Sequence, residues 1–514
     1  MAASGSRRRP NILFFFTDDQ RFDTIHALGN PHIHTPHMDA LVRQGTAFTR
    51  NCIMGGSCGA VCMPSRAMLM TGRTLYRIKG MGQTVAPEHV MLPELLRREG
   101  YQTFGVGKWH NGPDAYARCF TDGAEIFFGG MDDHWNVPAC DFDPTGRYPE
   151  PRERTTPMEI RYDDEGRPYR AVWTGKNIYD HVRPGKHSSE LFADAAIEFL
   201  KRRDASRPFF AYVAFMAPHD PRETRPDYHA MYDPDKLPLP ESFMPAHPFD
   251  NGQLTVRDEM LAPRPRTPEN TRQQIADYYA MITHADAQMG RVMETLEETG
   301  AAEETIIVFA GDNGLALGRH GLMGKQNLYD HSVRVPLIFK GPGVPQGQTR
   351  DAFTYLVDVY PTLCEMIGLP APDTVEGRSL APALRDPSER VRDALHFAYC
   401  DLQRAVRDRR FKLIEYAPPN GRFTQLFDLE NDPHEFRDLG DDPAYEAERQ
   451  RLAAVLSTWG LRLSQRTTKS ESEILRGRGK SMRKGILIGV WDEADIPEEF
   501  WSGYLGEGDL PGKR

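Results

Sequence analysis

Four stretches of this 514-residue chain are largely apolar and each ends in polar residues. Asn11 to Phe16 runs into Thr17-Asp18-Asp19-Gln20, and Tyr101 to Val106 leads to Gly107-Lys108-Trp109-His110. Pro208 to Met216 ends in Ala217-Pro218-His219-Asp220, and Thr305 to Ala310 ends in Gly311-Asp312-Asn313-Gly314. Apolar runs of this length read as strands buried on both faces of a parallel sheet. Between them the apolar spacing becomes helical. Met38 to Gln44, Leu92 to Glu99 before Gly100, and Ser188 to Arg203 fit this pattern. So does Thr271 to Thr299, where Ile275, Tyr278, Tyr279, Ile282, Met289, Val292, Met293 and Leu296 recur before Gly300. Val335 to Phe339 reads as a further strand. The alternation predicts an α/β fold with a large, mostly parallel central sheet between helices. A boundary is expected near residues 371 to 395. Beyond it, Ala405 to Tyr416 and Gln425 to Leu429 alternate like antiparallel strands, and Glu446 to Trp459 is helical. The expected division is a domain over residues 1–380, an α+β subdomain with an antiparallel sheet over 381–464, and a tail over 465–514. Residues 111 to 190 and 221 to 270 are rich in Gly, Pro, Asp and Arg, and read as loops with short elements.

In an open α/β sheet, ligands bind beyond the carboxyl ends of the parallel strands. One sheet therefore brings all four polar clusters together. Asp18 and Asp19 repel each other and invite a cation; a solvated turn with a helix cap at Asp19 is the alternative. Asp18, Asp19, Asp312 and Asn313 offer oxygen only, which suits a hard cation, Ca²⁺ first and Mg²⁺ second. Lys108 and His110 alternate across Trp109, so in an extended segment both point to one side. A surface lysine and a capping histidine would look the same, and His219 alone reads equally as a turn residue. Cys62-Met63-Pro64-Ser65-Arg66 places a cysteine just before a proline that fits the first turn of a helix. Ala67 to Met70 continue it as good helix formers. The free N–H groups at such an end favour an anion, and Arg66 lies one turn on. A buried thiol is the plainer reading of Cys62. Asp132, Asp133, His134 and Trp135 are weaker candidates for substrate contact. His32, His34, His37, His284 and Asp286 read as structural or exposed.

Composition narrows the picture. Hydrophobic residues at 39% and charged residues at 26% are ordinary for a globular protein. A net charge of -10 argues against nucleic-acid binding. No apolar run reaches the length of a membrane span, and no signal segment precedes the first strand, so a cytoplasmic, membrane-free protein is expected. The seven cysteines are odd in number and sparse, unlike a disulfide framework. Cys52, Cys58 and Cys62 cluster but lack the second paired set of a zinc site, so Cys52 and Cys58 read as packing residues.

Cys62-x-Pro64-Ser65-Arg66 followed by Thr71-Gly72-Arg73 resembles the signature of the formylglycine-dependent sulfatases of the alkaline phosphatase superfamily. Met63 stands where that family more often carries a small residue. Gly100-Tyr101-x-Thr103-x-x-x-Gly107-Lys108-Trp109-His110 resembles the family's second signature. Gly311-Asp312-Asn313-Gly314 resembles its Ser-Asp-Asn-Gly run, with Gly311 replacing the serine. Leu426 to Glu435 resembles its C-terminal subdomain. The resemblance covers roughly residues 10 to 440 and implies an alkaline phosphatase-like fold.

It also implies that a maturation enzyme oxidises Cys62 to formylglycine, whose hydrate attacks the sulfur of a sulfate monoester. Asp18, Asp19, Asp312, Asn313 and a hydroxyl at position 62 would hold one cation. Asp312 would help remove the proton of that hydroxyl, and Arg66 would orient the group. Lys108, Lys325 and His219 would hold the sulfate oxygens, with His219 or Lys325 protonating the leaving oxygen. His110 would then take a proton from the second hydroxyl and expel sulfate. The expected partners are a sulfated small molecule or saccharide and the maturation enzyme, with room for a homo-oligomer. A carbohydrate ester is suggested by the loop-rich insertion carrying Trp135 and Trp173. The rival readings are a phosphate or phosphonate monoester hydrolase of the same superfamily, and a non-catalytic Ca²⁺-dependent binder of sulfated glycans.

Overall fold

The computed structural model describes residues 9–163, 165–419 and 421–457. The tail expected over 465–514 lies outside the described residues. The centre is an eight-stranded sheet. Its strands are β1 (Asn11–Thr17), β2 (Thr46–Phe48), β3 (Gln102–Lys108), β4 (Asp122–Phe127), β5 (Phe209–Ala214), β6 (Thr305–Gly311), β7 (Leu337–Lys340) and β8 (Gln348–Arg350). They lie in the order β8-β2-β7-β6-β1-β5-β3-β4. β6, β1, β5, β3 and β4 pair in parallel, whereas β7 runs antiparallel to both β6 and β2.

The continuous apolar runs follow from this burial. Ile12, Phe14 and Phe16 of β1 enter one core cluster, while Leu13 and Phe15 enter another on the opposite face. Each fully buried phenylalanine contributes about 1.5–3 kcal/mol. A strand covered on both sides has no reason to alternate with polar residues. The principal helices are α1 (Pro36–Gln44), α2 (Cys62–Thr71), α3 (Ser188–Arg202) and α4 (Pro268–Glu298). α4 starts where the Thr267 side chain accepts a hydrogen bond from the Asn270 N–H. All ten residues of α2 are buried, so it has no polar face.

The second sheet is antiparallel through Leu395–Tyr399, Gln403–Arg407, Phe411–Tyr416 and Phe423–Asp428. A fifth strand, Gly55–Gly56, pairs in parallel with Leu395–Tyr399. The segment just before α2 is thus built into the C-terminal sheet. Gly55 has φ +103°, and a Cβ there would stand 2.0 Å from the Ala398 carbonyl oxygen, so only glycine fits.

Residues 111 to 190 hold more order than the sequence suggested. Arg152–Tyr162 and Pro168–Asn177 form a two-stranded antiparallel ribbon. The polar run of the first strand, Arg152-Glu153-Arg154-Thr155-Thr156, and a mostly exposed surface hide it from a search for apolar alternation. Among the described residues, no helix is long and apolar enough to cross a membrane. All seven cysteines are buried and free, which accords with Cys52 and Cys58 as packing residues.

Candidate active site

The four polar strand ends converge over the N-terminus of α2. Cys62 opens that helix and is 2% exposed. Its Sγ lies 3.4 Å from His110 Nδ1 and 3.6 Å from Lys108 Nζ. The strand ends at Lys108, and His110 takes a left-handed φ of 68°. The two side chains therefore meet at Cys62 through a turn, rather than by the plain alternation of an extended segment. Gly107, at φ +84°, lets β3 approach β5 where a Cβ would meet the Ala214 carbonyl at 2.0 Å.

Asp18 and Asp19 follow β1, and Asp312 and Asn313 follow β6. Asp18 Oδ2 accepts from Lys108 Nζ. Asp19 Oδ1 accepts from Lys325 Nζ at 2.6 Å and from Asn313 Nδ2 at 2.7 Å. The Asp19 N–H donates to Asp312 Oδ1 at 2.9 Å, an arrangement reached through φ 67° at Asp19. Asp18 Oδ1, Asp19 Oδ2 and Asn313 Oδ1 are left buried with no hydrogen-bond donor. Ligand atoms of Asp18, Cys62 and Asp312 fall within 4.8 Å of one another. Buried oxygens without donors carry a large desolvation cost, which a hard cation removes. The donor set therefore fits Ca²⁺ or Mg²⁺.

Arg66 reaches past Cys62. Its Nε donates to Asp312 Oδ2 at 2.9 Å and its Nη1 to the Lys108 carbonyl at 2.8 Å, and its guanidinium stacks on Phe16, 4.9 Å from the ring centroid. Its hydrogen bonds thus tie β6 to β3. Ser65 Oγ donates to the Asp312 carbonyl at 2.6 Å, and Asn111 Nδ2 donates to the carbonyls of Met63 and Gly82. Ser65 and Asn111 thus secure α2 beneath the site. Ser65 belongs to the cysteine motif, whereas nothing in the sequence marks Asn111.

His219 Nδ1 donates to the Asp220 carbonyl at 2.7 Å, which leaves Nε2 facing the cavity, 3.7 Å from Asp19 Oδ2. The His219 carbonyl accepts from His134 Nε2 at 3.0 Å, and His134 Nδ1 meets Ser188 Oγ at 2.7 Å. Asp132 is fully buried against Arg154 and Asn177. His134 and Asp132 therefore hold the site's framework and are not substrate contacts. Trp135 packs edge-on against His187. Neither Trp135 nor Trp173 lines the cavity.

Charge is dense here. Burial pushes the Cys62 thiol up to about 11; Lys108 and Lys325 act against burial, while Asp18 and Asp312 reinforce it. Burial, then the positive charges of Lys108, Arg66 and Lys325, hold His110 well below the usual imidazole range. His110 is thus a neutral base at pH 7. Burial opposes the charge on Lys325, but Asp19 beside it, together with Cys62, Asp258 and Asp18, outweighs burial and keeps the ammonium protonated. Cys62, His110, His219 and Lys325 all border one cavity of about 260 Å³.

The sulfatase family model matches residues 10–369, and a model described as N-sulphoglucosamine sulphohydrolase, C-terminal, matches residues 318–460. The chain is 30% identical to the multifunctional alkaline phosphatase superfamily protein PehA of Trinickia caryophylli, over 89% of this chain and 96% of that protein. It is 29% identical to an ulvan-active sulfatase of Formosa agariphila, over 87% and 80% of the two chains. Its fold is similar to that of the phosphonate monoester hydrolase SpPMH from Silicibacter pomeroyi. The TM-score is 0.67 at 25% identity, covering 90% of this chain and 98% of that one. With 360 of its residues under one family model and its strand ends gathered at one cysteine, the chain belongs to the sulfatase family, sulfuric ester hydrolases of the alkaline phosphatase superfamily.

Proposed function

We propose that the protein hydrolyses sulfate monoesters of carbohydrates, using a formylglycine made from Cys62 and one divalent cation, Ca²⁺ before Mg²⁺. The observation that carries this reading is the approach of a neutral base, His110, and an ammonium, Lys108, to Cys62 Sγ beside three buried oxygens that accept no hydrogen bond. Formylglycine and the cation together supply an oxygen nucleophile acidic enough to act near neutral pH.

The remaining work falls to side chains of this chain. An ammonium has three donors. Lys108 directs its donors to Asp18, the Gly130 carbonyl and Cys62 Sγ, so it stabilises negative charge at position 62. Lys325 uses one donor on Asp19, which leaves two for sulfate oxygens. His219 Nε2 faces the same cavity, and either it or Lys325 delivers the proton to the leaving oxygen. His110 Nδ1 takes a proton at the position Sγ now occupies. Asp312, fixed by Arg66 and the Asp19 N–H, keeps its carboxylate next to that position. The domain division is proposed as 1–380 and 381–464, with the Gly55–Gly56 strand crossing it.

The test is the mass of the tryptic peptide ending at Arg66 after expression beside a maturation enzyme, followed by turnover of paired aryl esters. Conversion of the Cys62 thiol to an aldehyde, with aryl sulfate preferred over aryl phosphate, is the expected result. An intact thiol in cells that mature a control sulfatase would favour the binding-protein reading. The second reading, a phosphate or phosphonate monoester hydrolase, gains support from the similarity to SpPMH. A large preference for aryl phosphate or phosphonate would establish it instead.

A further inference from the structure

The cavity that holds Cys62 has a further wall made by Val256, Arg257, Asp258 and Gln326. These side chains lie outside the group that serves the nucleophile and the sulfate, so they are available to the leaving alcohol. Arg257 has 26% of its side chain exposed, so it is reachable, while its guanidinium is clamped from behind. Both Nη atoms donate to the Asp220 carboxylate, and Nη2 also pairs with Asp258 Oδ1. Glu159, from the Arg152–Tyr162 strand, stands 3.9 Å behind it. Asp258 Oδ2 accepts from Gln326 Nε2 at 2.7 Å, and Gln326 Nε2 also donates to the Gly59 carbonyl. The wall is therefore built on one guanidinium held by two carboxylates, Asp220 and Asp258, while Glu159 beyond it pairs with Arg161 at 2.7 Å.

We infer that Arg257 and Asp258 read the leaving alcohol, and that they select an uncharged, hydroxyl-bearing alcohol over one carrying a second anionic group. The inference rests on the reading of this cavity as the hydrolytic site. A hydroxyl can accept from a guanidinium and donate to a carboxylate at once, which an adjoining arginine and aspartate satisfy together. A second sulfate or carboxylate could only accept. It would meet an arginine already neutralised and an aspartate that repels it. Lys325 adds positive charge near Asp258, but it is paired with Asp19, as Lys108 is with Asp18.

The test compares glucose 6-sulfate, a glucose disulfate and 4-nitrophenyl sulfate on the mature full-length protein and on Arg257→Gln and Asp258→Asn. In the wild-type protein, kcat/KM for the monosulfate is expected to exceed that for the disulfate by about tenfold or more. Each substitution is expected to lower kcat/KM for glucose 6-sulfate by about tenfold more than for the aryl ester, which has no hydroxyl to lose. Equal losses on both esters would overturn the inference and make Arg257 a support for His219 through Asp220. A disulfate turned over as well as the monosulfate would overturn the charge selection. If Arg257→Gln lowers the Tm sharply, Asp258→Asn alone carries the comparison.

If the protein cleaves phosphate esters in place of sulfate esters, the proposed function falls. The same differential is then expected between glucose 6-phosphate and 4-nitrophenyl phosphate, and its absence overturns the inference. If no ester turns over, calorimetric binding of glucose 6-sulfate to the Ca²⁺-loaded Cys62 protein decides. A loss of about tenfold or more in Arg257→Gln supports the subsite, and unchanged affinity removes it.

Discussion

Arg66 Nε and Nη2 both lie 2.9 Å from Asp312 Oδ2, and none of these side-chain atoms reaches solvent. Such a pair has no water to replace either partner. Removing the guanidinium strands a buried carboxylate, at about 3–5 kcal/mol. Arg66→Ala is therefore expected to lower the unfolding free energy by that amount in urea titrations. Arg66→Lys should recover part of it, because one ammonium cannot bond Asp312, the Lys108 carbonyl and the Tyr212 hydroxyl in the same fork geometry. A loss under about 1 kcal/mol in the alanine variant would show the pair to be dispensable.

Cys62→Ser separates attack from release. A serine oxygen has no second hydroxyl with which to expel sulfate. The variant is expected to accumulate one SO₃ group on residue 62 and to stop turning over. Intact mass spectrometry after incubation with substrate reads the adduct directly. Steady turnover with no adduct would contradict the formylglycine route.

The three donor-free oxygens of Asp18, Asp19 and Asn313 predict a cation that stabilises the fold. Saturating Ca²⁺ at a hundred times its Kd should add about 2.7 kcal/mol, and EDTA should remove it. In Asn313→Ala the calcium-dependent rise in Tm should shrink. A rise as large as that of the parent would place the cation elsewhere.

Buried histidines outside the cavity wall contribute to acid sensitivity. Burial, only partly offset by hydrogen bonds to the Phe249 and Val455 carbonyls, lowers His247 and His396 to about 4. Burial likewise lowers His134 to about 4, against the hydrogen bond to the His219 carbonyl. The unfolded chain binds protons at these sites near pH 6.5 and the folded chain does not. Stability from them is thus complete above pH 6.5 and lost as pH falls toward 4, up to about 3 kcal/mol for each. The Tm should drop steeply across that window. His247→Gln should flatten the drop, whatever it does to the Tm at pH 8; an unchanged slope would remove His247 from the account.

The strand ends could be read from the sequence because burial on both faces leaves an uninterrupted apolar signature that stops where chemistry begins. Asp18, Asp19, Lys108, Asp312 and Asn313 stand at such stops. Arg257, Asp258 and His134 do not. They lie in segments without periodicity, and their partners, Asp220, Gln326 and Ser188, are set by long-range folding. The strand at Gly55–Gly56 is two residues long and has no side chains to form a pattern. The aromatic residues that suggested a sugar platform, Trp135 and Trp173, pack elsewhere, and the polar wall at Arg257 takes over that role in the proposal.

The pairing of Gly55 with Ala398 also imposes an order on synthesis. The segment that leads into Cys62 leaves the ribosome long before its strand partner exists. At about 5–20 residues per second, the delay is on the order of tens of seconds. Until then the thiol's arm lacks its last anchor, although the finished helix is closed on every side. The conversion proposed for the thiol is best served by that interval, so the late sheet would work as a clock as well as a scaffold.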